Sequence, residues 1–268
     1  MIIRATISMT DITPNMNKID KEAVKQAFAS YTEQYNAEDP KIKLKIDHTY
    51  RVADLCEKIA ATVPGTNTDL TWLSGMLHDV GRFEQVRRYN TFADAKSVDH
   101  APFGADLLFD DGLIDSFGSY DENYKSLLET VIRNHNRFRI DEGLTYEYKT
   151  YCRILRDADK IDILRVNVET PIEDIYNVSS GELKRAAVTE EVRQGFREKH
   201  AIPRAVRRTP ADLLVSHISM VYELIYPISW EIVWEQGYLN DMLKFESENE
   251  ETQKWFDFMR KELLEGRE

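Results

Sequence analysis

The chain has 268 residues, of which 42% are hydrophobic and 31% charged, and a formal net charge of −12. That suits one large domain or two small ones with a sizeable core, and it is too apolar for a disordered chain. The acidity excludes a general nucleic-acid binder, which needs a basic face, and looks ill-suited to phosphate substrates.

No apolar run reaches the roughly 20 residues that span a bilayer. The opening residues lack the apolar stretch of a signal peptide. Cys56 and Cys152 give no disulfide framework and fit helical core positions. The expectation is a cytoplasmic protein with no membrane partner.

Helical periodicity far outweighs apolar alternation, which predicts an all-α fold. Residues 1–18 read as a loose arm. A helix follows from an Asp20 cap to Tyr35, and Asp39-Pro40 opens another that stops before Pro64-Gly65. Thr68-Asp69 starts a short helix ending near Asp79, with Gly81 as its stop signal and a polar loop beyond. Further helices are expected over 99–110, 121–135 and 145–168. In the C-terminal third, Thr209-Pro210-Ala211-Asp212 resembles a capping box that opens a helix reaching Pro227. Two more helices are expected at 230–237 and 249–265, while 179–208 is charge-rich.

Polar residues stand where apolar ones belong. The stripe Leu44, Val52, Leu55, Ile59 includes His48, and the stripe Cys152, Leu155, Ile163, Val166 includes Asp159. His100 precedes Phe103 and Leu107, His135 follows Leu128 and Val131, and His78-Asp79 follows Met76-Leu77. A single histidine on an apolar face is usually a satisfied core residue. An unpaired core carboxylate is harder to place, because its burial costs several kcal/mol. With such groups on five helices, the arrangement of least cost is that they meet around divalent metal. Of the remaining histidines, His200 reads as surface and His217, on the helix carrying Leu213, Leu214 and Met220, as a core residue or one standing behind a metal ligand.

His48, then His78-Asp79 in MLHDVG, then Asp159 in DADKID, resembles the HD-domain metal-dependent phosphohydrolase superfamily. The resemblance covers about residues 40–170. It implies an HD helical bundle over 19–169, with 170–268 an appended C-terminal helical region packed on it. It also implies a first metal shell of His48, His78, Asp79 and Asp159, with Asp157 as second choice. His100 and His135 match positions that bind a second metal in some subfamilies, with Asp79 as the bridge. Asn134 departs from the histidine pair found there in several dinuclear members. Val80-Gly81-Arg82 after HD and Arg137-Phe138-Arg139 after His135 disfavour the guanosine tetraphosphate and cyclic di-GMP types. The bacterial dinucleoside tetraphosphate hydrolases share the order of ligands and an ADKI element, but are much shorter.

The implied cofactor is one or two divalent ions: Fe, Mn, Ni or Zn, with Mg also admitted. The implied activity is hydrolysis of a small phosphorylated substrate, nucleotide-like, by a metal-activated water. Asp79, Arg51 and Lys160 are the expected catalytic residues, the latter two as phosphate clamps. Arg51 is three residues from His48 and shares its helix face. Arg82, Arg87, Arg88, Arg204, Arg207 and Arg208 are weaker candidates for phosphate contact. Asp54, Glu84 and Asp99 are candidate bases, with none singled out. The rival function is a metal- or nucleotide-binding sensor without turnover. The aromatic stretch from Tyr222 to Trp234 suits either core or a dimer face, which leaves a homo-oligomer open.

Overall fold

A computed structural model describes residues 19–265, and the arm expected over 1–18 lies outside them. Among the described residues there are helices and no strand, as the periodicity predicts. None of these helices is long and apolar enough to cross a membrane.

Seven helices carry the first part: α1 (Lys21–Thr32), α2 (Pro40–Ala60), α3 (Thr68–Leu77), α4 (Val80–Tyr89), α5 (His100–Ala105), α6 (Glu122–Asn134) and α7 (Tyr146–Glu169). Their starts are chemically explicit. Asp20, Asp39, Asn67, Asp121 and Thr145 each accept a backbone N–H of the first turn, and Pro40 supplies a preset φ.

The structure corrects several expected boundaries. Gly81 does not end a helix before a polar loop; it lies in the first turn of α4. That helix buries Val80, Phe83 and Val86 while sending Arg87 and Arg88 outward. Gly81 is there for contact. A Cβ at this position would lie 2.5 Å from the His100 carbonyl oxygen and 2.7 Å from the Gly104 nitrogen. Gly75 plays the same part between α3 and α2, where a Cβ would come within 2.6 Å of the Ala53 Cα. These two close approaches draw His100 toward Asp79 and His48 toward His78. α5 is also shorter than expected. Beyond Ala105 the chain widens into a turn in which the Asp111 amide reaches the Asp106 carbonyl.

The C-terminal region consists of α8 (Ile172–Tyr176), α9 (Ser180–Arg185), α10 (Glu190–Arg197), α11 (Pro210–Ser219), α12 (Pro227–Gln236), α13 (Tyr238–Leu243) and α14 (Glu250–Arg260). The Thr209 capping box forms as read, but its helix tightens after Ser219 and stops at Glu223. α11, α12 and α13 pack on α7. Buried apolar residues from Ile19 to Leu263 form one contiguous cluster, so these helices extend the first core.

Asp157 ties the two parts together. Its Oδ2 accepts the Ile225 and Tyr226 N–H groups at 2.9 and 3.1 Å and the Ser229 hydroxyl at 2.8 Å. It is fully buried and stands apart from the metal-ligand cluster, on the opposite side of α7 from Asp159. Cys56 and Cys152 are buried free thiols, as expected.

Candidate metal centre

The six residues singled out as ligands converge. His48 comes from α2, His78 and Asp79 from the α3–α4 junction, His100 from the start of α5, His135 from the end of α6 and Asp159 from α7. Five of these side chains are at most 3% exposed, and Asp159 is 18% exposed.

They sort into two groups that share Asp79. Its Oδ2 lies 3.6 Å from His48 Nε2 and 3.4 Å from His78 Nε2. Asp159 Oδ1 joins that group, 3.2 Å from His48 Nε2 and 3.9 Å from His78 Nε2. The other oxygen, Oδ1 of Asp79, lies 3.5 Å from His100 Nε2 and 3.7 Å from His135 Nε2. Two ligand clusters, His48/His78/Asp79 and Asp79/His100/His135, could each hold a metal ion.

The hydrogen bonds on the far side of each imidazole test whether metal fits. His78 Nδ1 lies 2.7 Å from the Gly75 carbonyl oxygen, and His135 Nδ1 lies 2.7 Å from that of Ile132. A carbonyl only accepts, so both Nδ1 atoms carry the proton. His48 Nδ1 meets Asp162 Oδ2 at 2.6 Å, and His100 Nδ1 meets Asp94 Oδ2 at 3.0 Å. In the neutral rings all four Nε2 atoms are therefore bare lone pairs. Yet they face each other at 3.3 Å (His48 to His78) and 3.0 Å (His100 to His135). Lone pairs so close repel unless a cation lies among them. A carbonyl or carboxylate behind each ligating histidine is the arrangement that fixes its tautomer toward metal.

The electrostatics favour neutral His78 and His100 beside ionised carboxylates, and His48 is the exception. Burial opposes charge on Asp79, but Lys45 and His78 hold its carboxyl well below the usual range. Burial, aided by Arg82, pushes His100 down to about 3, and burial pushes His78 down despite Asp79. For His48, burial and Lys45 push down, and the Asp159 and Asp162 carboxylates outweigh them and raise it. Asp159 is held low by His48 and His78 against its burial.

Three residues around the site are not singled out by the sequence reading. Lys45, one turn before His48, places Nζ 2.6 Å from Asp79 Oδ2. Asp162, one turn after Asp159, backs His48. Asp94 backs His100 and also accepts from Arg82, Gln85 and Arg204. The i, i+3 spacing could have flagged the first two. Asp94 sits in the connection between α4 and α5, which carries no periodicity to read.

The expected clamps separate. Arg51 does not line the cavity. Its guanidinium forks onto Asp162 at 2.6 and 2.9 Å, so it braces the carboxylate behind His48. Lys160 does line the cavity and has no hydrogen-bond partner among the described residues; burial and Arg156 lower its pKa to about 8. Glu84, a candidate base, is taken by Arg87 and Arg88 away from the site.

The metal-facing groups open onto a cavity of about 690 Å³. Lys45, Arg82, Arg137, Arg156, Lys160, Arg204 and Arg207 line it, against Asp79, Asp99, Asp159 and Asp174. The lining is cationic although the chain is acidic. The C-terminal region supplies the far wall through residues 174–175, 201–205, Arg207, His217 and Met220.

No curated protein and no solved structure matches the chain. Residues 46–164 match the family model described as HD domain. The match begins just before His48 and ends just after Asp162, enclosing every residue of both clusters. With its H…HD…D ligands gathered on a helical bundle, the segment 46–164 is an HD domain, consistent with the HD superfamily of metal-dependent phosphohydrolases.

Proposed function

We propose that the chain is a metal-dependent phosphohydrolase that cleaves a phosphate ester or anhydride of a small, nucleotide-like substrate. One observation carries this reading: two histidine clusters share the two oxygens of Asp79 at the floor of a cavity with cationic walls. His48, His78, Asp79 and Asp159 would hold one divalent ion, and Asp79, His100 and His135 a second. Divalent ions held there supply an acidified water as nucleophile and positive charge for the phosphoryl oxygens.

The chain's own residues do the rest. Asp162 and Asp94 keep His48 and His100 aimed, and Asp79 holds the two clusters in register. Lys160, which lines the cavity, binds a phosphoryl oxygen. Lys45 and Arg82 add positive charge beside Asp79, with Arg82 Nε 3.7 Å from Asp79 Oδ1. A cavity walled by both parts of the chain suits a compact substrate better than a long nucleic acid lying across the surface.

Phosphate release from a panel of nucleoside mono-, di- and triphosphates and dinucleoside polyphosphates, with Mn, Fe, Ni, Zn or Mg added, tests the reading. Activity on at least one, abolished by Asp79→Ala, is expected. Activity that survives the substitution, or metal-loaded protein inert toward the whole panel, would overturn it.

A further inference from the structure

The histidine at the far end of the cavity belongs to a network that the metal centre does not use. His217 on α11 lies beside Asn167 on α7 and Tyr176 on α8. Asn167 donates its Nδ2 to the Ile163 carbonyl at 2.8 Å, which fixes the amide and turns Oδ1 toward the other two. His217 Nδ1 lies 2.9 Å from that Oδ1, and the Tyr176 hydroxyl also donates to it. Two acceptors cannot share a 2.9 Å contact, so His217 Nδ1 carries the proton. It also faces the Tyr176 oxygen at 3.0 Å, and the two rings stack with centroids 5.6 Å apart.

The tautomer is thus settled from three sides, and Nε2 is a bare acceptor. Among the described residues it has no hydrogen-bond partner, and His217 lines the cavity. Burial, with Arg207 and Arg204 nearby, holds the ring's pKa at about 3. The imidazole stays neutral at any ordinary pH, serves no proton transfer and offers no charge to a phosphate. Arg207 Nε and Nη2 are turned away onto the Ile202 carbonyl. Ile163, Val166, Ile175 and Met220 line the same cavity as His217, with Arg204 and Arg207. A lone acceptor on a cavity wall is how a pocket selects a polar group, because a ligand lacking the donor leaves the acceptor unpaired.

We propose that His217 is a specificity-determining residue: its Nε2 accepts a hydrogen bond from an uncharged N–H or O–H donor on the substrate's non-phosphate end, whose flat or apolar body lies against Ile163, Val166 and Met220. The proposal rests on the phosphohydrolase reading for where the phosphate sits, but the acceptor itself does not depend on turnover. Its ligand class is a donor-bearing heterocycle or sugar joined to phosphate. A simple aryl or alkyl phosphate lacks the donor.

The test compares wild type, His217→Phe and His217→Gln on adenosine and uridine 5′-monophosphates and on phenyl phosphate. It is paired with ¹⁵N-histidine NMR of the metal-loaded protein titrated with adenosine and uridine. The expected result is a loss in kcat/KM for His217→Phe, mostly in KM, about tenfold greater on the nucleotides than on phenyl phosphate. Partial recovery is expected in His217→Gln, which keeps an acceptor. The wild-type His217 Nε2 resonance is expected to move when a nucleoside is added. Equal losses on all three substrates, or none, would overturn the proposal. Should no substrate turn over, the hydrolase reading fails and the NMR arm decides alone: an Nε2 resonance unmoved by either nucleoside rejects the assignment.

Discussion

Replacing Asp162 by Asn examines whether the layer behind the histidines holds the metal site together. The carboxylate is buried, accepts from His48 Nδ1 at 2.6 Å and receives both Arg51 donors at 2.6 and 2.9 Å. An asparagine keeps one acceptor and turns an NH₂ toward the other side. Either His48 or Arg51 then confronts a donor with a donor. Removing the carboxylate behind a ligating histidine typically lowers metal affinity by about 10- to 100-fold, or roughly 1.4–2.7 kcal/mol. Competition against a chromophoric chelator reads this directly. Arg51→Ala should show a smaller loss of the same kind, with the substrate KM little changed. A phosphate clamp would behave oppositely, raising KM at unchanged metal affinity. Wild-type metal affinity in Asp162→Asn would refute the reasoning.

Three other perturbations have definite outcomes. Gly81→Ala drives a methyl into the His100 carbonyl and Gly104, so we expect about 1–3 kcal/mol of destabilisation. Metal should be lost first from the Asp79/His100/His135 cluster; full metal content and an unchanged Tm would contradict the close approach. Asp157→Ala leaves two backbone N–H groups and the Ser229 hydroxyl unmatched, at about 2 kcal/mol or more and roughly 4–8 °C in Tm. Asp157→Asn keeps the acceptor and should stay near wild type, and equal melting of both variants would speak against the anchor. The last concerns pH. His217 sits at about 3 when folded against an ordinary 6.5. Between those values the unfolded chain takes a proton that the native state refuses. Its contribution is therefore complete above pH 6.5 and is lost as pH falls toward 3, by up to about 5 kcal/mol. His217→Phe should flatten that part of the stability profile, measured by denaturant unfolding; a profile parallel to wild type throughout would count against a neutral buried ring.

The ligands were legible because each is a local anomaly: a histidine or aspartate occupies a slot of an apolar stripe whose period is set by the helix. Helix starts were legible for the same reason, since Asp20, Asp39, Asp121, Thr145 and Thr209 act on neighbours two or three residues away. What was hidden depends on pairing between helices. Arg51 does share a face with His48, but only the approach of α7 decides that Asp162, not substrate, takes its guanidinium. The polar surface of α4 disguised its buried Val80, Phe83 and Val86, and Gly81 looked like a stop although it is a contact. His217 looked like core because its helix neighbours are apolar. Its partners Asn167 and Tyr176 come from two other helices, and the cavity it faces exists only once the C-terminal region folds over the metal centre.

The central claim is that Asp79 bridges two metal sites. The most direct measurement is metal content by elemental analysis of protein purified without chelator and reloaded with Mn, Fe, Ni or Zn, for wild type, His100→Ala/His135→Ala and Asp79→Ala. Two ions per chain in wild type, one in the double variant and neither held tightly in Asp79→Ala is the expected result. A wild-type chain that binds one ion or none, or a double variant that keeps the wild-type number, would contradict it.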